Sequence, residues 1–263
     1  MSAAIPKEIF PVFDKPLIYY AIEELKQAGV EEVYVVVSPW KLPLFESFFH
    51  INDRYGRLTN DPSKDKILKK LAFLSTWPEI KFVIQNEAQG LAEAIGLCRT
   101  HINDEPFFVL LPDEVFVSAK DSNPCLDILN AFKVHHRSVV GLYEVPKSEV
   151  VNYGIAELGE DLGRRVFELI KLVEKPAVEK TPSTFMLPGR YLFESSFWTA
   201  INDELTQVDQ LKGNQELHIT HAMDRMASEE KILGAVISGD RFDAGRPEGL
   251  LALSQFEFSR TKR

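Results

Sequence analysis

Cysteine is scarce in this sequence, which has only Cys98 and Cys125 among 263 residues. The first falls within a helical pattern and the second at the predicted start of another helix, which is typical neither of a disulfide framework nor of a metal ligand pair. We therefore expect both cysteines to be core residues. The six histidines include His218 and His221, spaced i, i+3 on one predicted helix. Because no third ligand lies nearby, we do not favour a metal site there.

Excess positive charge and long apolar runs are also missing. Lys and Arg number 30 against 39 Asp and Glu, and the resulting net charge of −9 offers no broad surface to a nucleic-acid backbone. No apolar run approaches the roughly 20 residues that cross a bilayer, and the first residues carry no hydrophobic signal segment. We therefore expect a cytoplasmic protein that binds neither nucleic acid nor membrane.

The residues that are present can build a large core, because 45% of them are hydrophobic. Up to about residue 145, apolar runs alternate with helical patterns, which predicts a parallel sheet with helices on both faces. After about residue 151, strand-like runs follow one another without helices between them. We expect one α/β core that carries a second, α+β lobe.

In the alternating part, prolines, glycines and changes of apolar pattern indicate where helices and strands begin and end. One helix has Pro16 in its first turn and Gly29 at its end, and "EEVYVVV" (31–37) follows as a buried strand. Two short helices are predicted at "LPLFESFF" (42–49) and "SKDKILKKLAFL" (63–74). The remaining elements are strands at "IKFVIQ" (80–85), "PFFVLLPD" (106–113) and "SVVGLYEV" (138–145), and helices from Gly90 and around 125–135.

The second part contains strand-like runs first and helices later. Its strands are predicted at "YGIAEL" (153–158), "VFELIKLVEK" (166–175), "TFMLPGRYLF" (184–193) and "ILGAVIS" (232–238). Its helices are predicted at "SSFWTAINDEL" (195–205), "NQELHITHAMDRMA" (214–227) and "PEGLLALSQFEFSR" (247–260).

Polar residues that directly follow apolar strands are the first candidates for a site, because open parallel sheets bind ligands beyond the carboxyl ends of their strands. Gln85, Asp113 and the pair Glu174 and Lys175 meet this condition. Asp113 could hold Mg²⁺ against a phosphate, although capping of the next turn is favoured for an isolated aspartate. Asp243 in "RFDAGRPEG" offers a second carboxylate, with a simple turn as its alternative.

Two lysines are candidates for binding anions. Lys7 follows a proline that excludes regular helix before it, and it either faces a ligand or is a solvated surface lysine. Lys175 follows Glu174 at the end of a strand, where the two side chains should point to opposite sides. A sugar phosphate needs both groups, a carboxylate for its hydroxyls and a cation for its phosphate.

Eight motifs occur in order along nearly the whole chain: "IPKEIFPVFDKPLIYY", "QGLAEAI", "LLPDE", "YGI", "VEKP", "PSTFMLPGRY", "ELHITHAMD" and "FDAGRPEG". Together they resemble the bacterial UTP–glucose-1-phosphate uridylyltransferases of the sugar nucleotidyltransferase superfamily. The resemblance implies an α/β fold, with a Rossmann-like mixed sheet flanked by helices and a smaller α+β sugar-binding lobe. It implies a single nucleotidyltransferase domain, 1–263, with a nucleotide-binding part in 1–150 and the sugar lobe and C-terminal helices in 151–263.

The same resemblance implies a Mg²⁺-dependent reaction in which UTP and glucose 1-phosphate give UDP-glucose and pyrophosphate. Lys15 is expected to support its loop, and self-association of the chain is left open. The family's site residues match these positions: Lys7 for neutralising the triphosphate, Gln85 and Gly90 for the nucleotide, Gly154, Glu174 and Lys175 for the sugar and its phosphate, and Asp113 and Asp243 for Mg²⁺.

The sequence departs from the family in front of "IPKE", where relatives carry a buried strand and a glycine-rich loop of the form G-x-G-T-R-x-L-P-x-T-K. That loop supplies backbone donors to phosphates. Either the working protein begins upstream of Met1, or the chain is a shortened relative, and we expect greatly reduced activity of the 263-residue form.

Two rival functions are considered. The first is a thymidylyltransferase that uses dTTP, whereas "IPKE", "PSTFMLPGRY" and "ELHITHA" favour the uridylyl branch. The second is a non-catalytic paralogue that binds a sugar nucleotide. The joint presence of Lys7, Asp113, Lys175 and Asp243 favours an enzyme, because a chain released from catalysis has no physical reason to keep all four.

Overall fold

The computed structural model describes residues 5–49, 76–118, 122–206 and 218–260. Strands in these ranges are β1 (Pro11–Val12), β2 (Lys15–Pro16), β3 (Glu32–Val37), β4 (Glu79–Ile84), β5 (Phe107–Leu110), β6 (Glu114–Val117), β7 (Ser138–Glu144), β8 (Gly154–Asp161), β9 (Val166–Glu174), β10 (Phe185–Met186), β11 (Arg190–Phe193), β12 (Ile232–Val236) and β13 (Asp240–Asp243). Helices are α1 (Ile18–Gln27), α2 (Leu42–Phe49), α3 (Leu91–Leu97), α4 (Pro124–His135), α5 (Ser196–Leu205), α6 (Thr220–Ser228) and α7 (Pro247–Arg260). The helix predicted at 63–74 lies outside the described residues.

The chain divides into two compact units. The first unit consists of Met1–Glu87 together with Ala244–Arg263, and the second consists of Ala88–Asp243. The chain therefore passes between the units twice. The predicted division at residue 150 concerns nucleotide and sugar binding, which compactness does not test, and it stays a prediction.

In the first unit, α1 feeds the parallel pair β3 and β4 as the sequence predicts. The helix buries Ile18 and Ile22 in a cluster with Phe45 of α2. It ends where Gly29 takes φ 84°, a left-handed conformation that glycine adopts without strain. Pro16 is not in the first turn of α1, because it belongs to the hairpin of β1 and β2 that precedes the helix.

The hairpin of β1 and β2 also packs against α7. At its tip Phe13 has φ 57° and contacts Phe258, with ring centroids 5.8 Å apart at an interplanar angle of 61°. Lys15 pairs with Val12 across the hairpin, and its Nζ lies 4.7 Å from the ring centroid of Tyr19. These contacts agree with the expectation that Lys15 supports its loop.

The second unit is built around a seven-stranded sheet in the order β10-β8-β9-β12-β7-β11-β5. Strand β12 runs parallel to β7, whereas the other neighbouring pairs are antiparallel. The expected parallel arrangement of β5 and β7 is present, but β11 lies between them in the opposite direction. The sheet is therefore mixed: β11, from the α+β part of the sequence, pairs antiparallel with two strands of the alternating part.

Helices cover this sheet with the apolar faces that their sequences predict. On one side, Phe193 stacks on Phe197 with ring centroids 3.9 Å apart, and Phe107 stacks on Trp198 at 4.8 Å. On α4, Asn123 accepts a hydrogen bond from the Leu126 amide over 2.9 Å as an N-terminal cap. The two cysteines are buried, as predicted for core residues. None of the described helices combines the length and apolar character needed to cross a membrane.

Candidate active site

Two aspartates of the second unit come together at one end of a small sheet. Strands β6 and β13 pair antiparallel, which sets Asp243 opposite Glu114. Asp113 immediately precedes Glu114, in the turn between β5 and β6. Burial raises the pKa of the Glu114 carboxyl most, the hydrogen bonds and charge of Arg241 lower it, and the negative charges of Asp243 and Asp113 add smaller increases. The charges of Asp113 and Asp243 therefore both act on the Glu114 carboxyl.

The strand before Asp113 is shorter than predicted. It ends at Leu110 rather than at Asp113. The Leu111 amide still donates to the carbonyl of Gly189 over 2.9 Å, but Pro112 has no amide hydrogen with which to extend the ladder. Asp113 thus lies on a turn instead of a strand end.

Arg241 supplies the positive charge of this cluster. Its Nε and Nη2 donate to the two carboxylate oxygens of Glu114 over 2.7 Å and 2.8 Å. Its guanidinium also lies 4.7 Å from the ring centroid of Tyr153. Glu114 is therefore paired with an arginine on the strand that also carries Asp243.

Arg190 holds the turn that carries Asp113. The residue is fully buried, and its Nη1 donates to the carbonyl oxygen of Leu111 over 2.8 Å. Its Nη2 donates to the carbonyl oxygen of Glu114, on the other side of Asp113. Its guanidinium lies 5.3 Å from the ring centroid of Phe116. A buried guanidinium thus fixes the backbone on both sides of the candidate metal ligand.

The carboxylates of Asp113 and Asp243 suit a hard cation that also binds water and substrate phosphates. Among the described residues, no group of three or more His, Cys, Asp and Glu is arranged to hold a metal ion. Mg²⁺ usually takes one or two carboxylates, with substrate phosphates and water filling the other positions, so Asp113 and Asp243 fit it. The histidine pair does not share a helix as expected, because α6 begins at Thr220 and His218 precedes it.

A second group of candidates surrounds the start of β8. Gly154 pairs with Glu174 of β9. A Cβ atom at residue 154 would lie 3.2 Å from Glu174 Oε2, so glycine leaves the space that this carboxylate occupies. Glu174 Oε2 accepts a hydrogen bond from Thr220 Oγ1 over 2.6 Å. Sequence reasoning missed Thr220, although it lies inside the motif "ELHITHAMD".

Lys175 lies beside Glu174 rather than on the opposite side of a strand. Strand β9 ends at Glu174, and Lys175 takes φ 45° outside it. The Lys175 amide donates to the carbonyl of Tyr153 over 3.0 Å, and its Nζ lies 3.7 Å from Glu174 Oε1. The prediction of opposite directions is wrong, because the left-handed backbone turns the lysine back toward the glutamate.

Tyr153 links the two groups within the second unit. Its ring faces Arg241, which is paired with Glu114 next to the two aspartates. Its carbonyl oxygen accepts a hydrogen bond from the Lys175 amide. The charges of Glu174 and Glu114 both raise the pKa of the buried Tyr191 phenol, after the larger effect of burial. These two groups contain five of the six predicted positions that lie in the second unit: Asp113, Gly154, Glu174, Lys175 and Asp243.

The other three predicted positions are placed as follows. Lys7 begins the short 3-10 helix Lys7–Ile9 of the first unit, and its carbonyl oxygen accepts from the Phe10 amide over 3.0 Å. Gln85 follows β4 in the same unit, and its amide donates to the carbonyl of Val37 over 2.9 Å. Gly90 precedes α3 in the second unit with φ 115°, a conformation that favours glycine. Their roles stay predictions.

The sequence matches a known protein family. The family model described as nucleotidyl transferase matches residues 1–260. The chain belongs to this family. Its members generally use a divalent metal ion.

Among individual relatives, the UTP–glucose-1-phosphate uridylyltransferase of Staphylococcus haemolyticus (strain JCSC1435) is 33% identical over 250 residues, covering 95% of this chain and 84% of the relative. A crystal structure of apo UDP-glucose pyrophosphorylase superposes with a TM-score of 0.86 at 29% identity, covering 98% of this chain and 92% of the other. A UDP-glucose pyrophosphorylase complexed with UDP-glucose gives 0.83 at 30%, with the same coverage. These similarities confirm the predicted resemblance and the mixed α/β fold.

Proposed function

We propose that this nucleotidyl transferase transfers a uridylyl group from UTP to glucose 1-phosphate, forming UDP-glucose and pyrophosphate. The single observation that supports it most is the assembly of Asp113 and Asp243 in the same unit as Glu174 and Lys175. The two aspartates suit a metal ion that is bound to phosphate. The neighbouring glutamate and lysine suit a sugar phosphate. The proposed reaction requires both binding sites. Relatives named for the same reaction support the choice of substrates.

Countercharge and positioning account for the residue types at the site. An oxygen of the sugar phosphate attacks the α-phosphorus of UTP in line with the departing pyrophosphate, and every group involved is negative. Lys7 would bind the triphosphate and offset its charge, as the catalytic cation. Two unit charges 4 Å apart interact by about 4 kcal/mol at an effective dielectric of 20, against about 1 kcal/mol in water. No nucleophilic side chain is required.

The remaining residues bind and orient the two substrates. Lys175 would bind the phosphate of glucose 1-phosphate, and Glu174 would accept hydrogen bonds from the sugar hydroxyls. Gly154 would let the sugar ring approach the backbone at the start of β8. Gln85 and Gly90 would contact the uracil base, through an amide side chain and through close backbone approach.

Mg²⁺ is the metal that we propose for Asp113 and Asp243. When bound, it would neutralise phosphate charge and orient the phosphates of UTP. The residues of this chain that support such a site are Arg241, which holds the competing carboxylate of Glu114, and Arg190, which fixes the turn around Asp113.

The rival functions are not favoured. The chain is 31–33% identical to relatives named as uridylyltransferases, which supports UTP over dTTP. A cytoplasmic location and the absence of nucleic-acid and membrane partners stay predictions from composition. Self-association is not tested by the contacts within one chain.

Turnover by the full 263-residue chain tests the proposed function. The chain is incubated with glucose 1-phosphate, Mg²⁺ and either UTP or dTTP, while pyrophosphate release and sugar-nucleotide formation are measured. We expect UDP-glucose to form with UTP at the reduced rate already expected for the 263-residue form, little product with dTTP, and loss of this turnover when EDTA removes the metal. Product from dTTP at an equal or higher rate would favour the thymidylyl alternative. Binding of UDP-glucose without turnover would favour the non-catalytic alternative.

A further inference from the structure

Thr220 fixes one oxygen of the Glu174 carboxylate. Its Oγ1 donates to Glu174 Oε2 over 2.6 Å, and only 4% of Thr220 is exposed. Thr220 is the first residue of α6, so the helix fixes its backbone, and its branched side chain has few rotamers. The hydroxyl is therefore a rigid donor to a longer side chain that has more conformations to lose.

The two oxygens of Glu174 have different neighbours. Oε2 lies in the space left by Gly154, where a Cβ atom would be 3.2 Å away from it and 3.7 Å from Thr220 Oγ1. Oε1 instead lies 3.7 Å from Lys175 Nζ, and the lysine side chain is 53% exposed. One oxygen is thus anchored inside the unit, and the other lies beside the cation proposed to bind phosphate.

We propose that Thr220 is a positioning residue for sugar recognition: it holds Oε2 of Glu174, so that Oε1 accepts hydrogen bonds from sugar hydroxyls beside Lys175. This inference rests on the proposed function, in which Glu174 and Lys175 bind glucose 1-phosphate. Without the threonine hydroxyl, the carboxylate turns toward the Lys175 ammonium, because that is the cation next to it. Glu174 then accepts weaker hydrogen bonds from the sugar hydroxyls, and Lys175 binds the sugar's phosphate less tightly.

The test compares Thr220→Val, which removes the hydroxyl at similar volume, with Thr220→Ser, which retains it. We expect Thr220→Val to raise KM for glucose 1-phosphate about tenfold, the loss typical of a hydrogen bond to a charged group, while KM for UTP changes less than about twofold. Calorimetry should show a similar weakening of UDP-glucose binding. Thr220→Ser should restore most of the affinity.

The control is Thr206→Val, the same substitution at an exposed residue directly after α5, whose hydroxyl donates to the carbonyl of Asp203 over 2.8 Å. It should leave both KM values unchanged. In a Glu174→Ala background, Thr220→Val should add little, because the two residues then no longer interact. Thermal unfolding of every variant reports on folding, and Thr220→Ala replaces the valine variant if that one does not fold.

Each result decides the inference. Equal changes of both KM values, no rescue by serine, or a full additional loss in the Glu174→Ala background would overturn the positioning role while leaving the proposed function standing. A folded wild-type chain that neither turns over UTP nor binds UDP-glucose would overturn both.

Discussion

Arg241 and Glu114 form a two-pronged ion pair that joins β13 to β6, with N–O distances of 2.7 Å and 2.8 Å. The two side chains are only 10% and 13% exposed. Breaking a buried pair by removing one partner is costly, because the remaining charge stays buried without its countercharge.

We expect Arg241→Met to lower the free energy of unfolding by about 3–5 kcal/mol, measured by urea denaturation at neutral pH. The double variant Arg241→Met with Glu114→Gln should recover part of this loss, because the buried charge is gone. Lys231→Met is the control: its partner is Glu229, both side chains are about half exposed, and its loss should be under about 1 kcal/mol. Equal losses in the two single variants would contradict the buried-pair explanation.

Replacing a candidate metal ligand should abolish most turnover. Asp113→Asn and Asp243→Asn should each lower kcat by about 100-fold or more, because a bound metal contributes several kcal/mol to stabilising charge in such transfers. Binding of Mn²⁺, followed by electron paramagnetic resonance, should weaken in parallel. Asp240→Asn changes an exposed aspartate at the other end of β13 and should leave both measurements unaltered. Normal Mn²⁺ binding by Asp113→Asn would argue against the metal role.

Arg190→Lys should disturb the turn around Asp113. Lysine keeps the charge, but it lacks the planar set of donors that reaches the carbonyls of Leu111 and Glu114 together. We expect a stability loss of about 1–3 kcal/mol and a higher Mg²⁺ concentration for half-maximal turnover. Arg137→Lys, which changes a guanidinium bound to Glu168, should cost stability without moving the Mg²⁺ requirement. An equal shift in both variants would remove the special role of Arg190.

Cys98 should make stability depend on alkaline pH. Burial raises the pKa of its thiol from 9.0 to about 11. The unfolded thiol therefore ionises first, and the stabilisation present below pH 9 is lost as the pH rises through about 11. At pH 10 this loss amounts to about 1.4 kcal/mol for one such group.

Urea denaturation of the wild type and of Cys98→Ala at pH 8 and pH 10 measures this contribution. The free energy of unfolding should fall more steeply with pH in the wild type than in the variant. Identical slopes would show that the Cys98 thiol does not contribute. The comparison cancels the ionisation of Tyr19, whose pKa burial raises to about 12, because that residue is common to both proteins.

Elements with local signals were predicted closely from the sequence. The bounds of α2 and α7 coincide with the patterns "LPLFESFF" and "PEGLLALSQFEFSR". Elements that depend on distant partners were predicted less well. The direction of β11 between β5 and β7 is fixed by pairing with strands far away in sequence, which no local pattern records.

The site shows the same limit. Motifs and strand ends identified Asp113, Glu174, Lys175 and Asp243, but not the residues that hold them. Arg190 contacts carbonyl oxygens 79 and 76 positions away in sequence, and Thr220 contacts a carboxylate 46 positions away. Their importance comes from tertiary contacts, so a reading of local composition passes over them.

The interrupted first unit has a consequence for biosynthesis. Residues 88–243 are contiguous and leave the ribosome as one continuous stretch, whereas β1 must wait for α7, which is translated after all of them. Phe13 has no Phe258 to contact until then. The first unit therefore begins to be translated before the second unit but is completed after it.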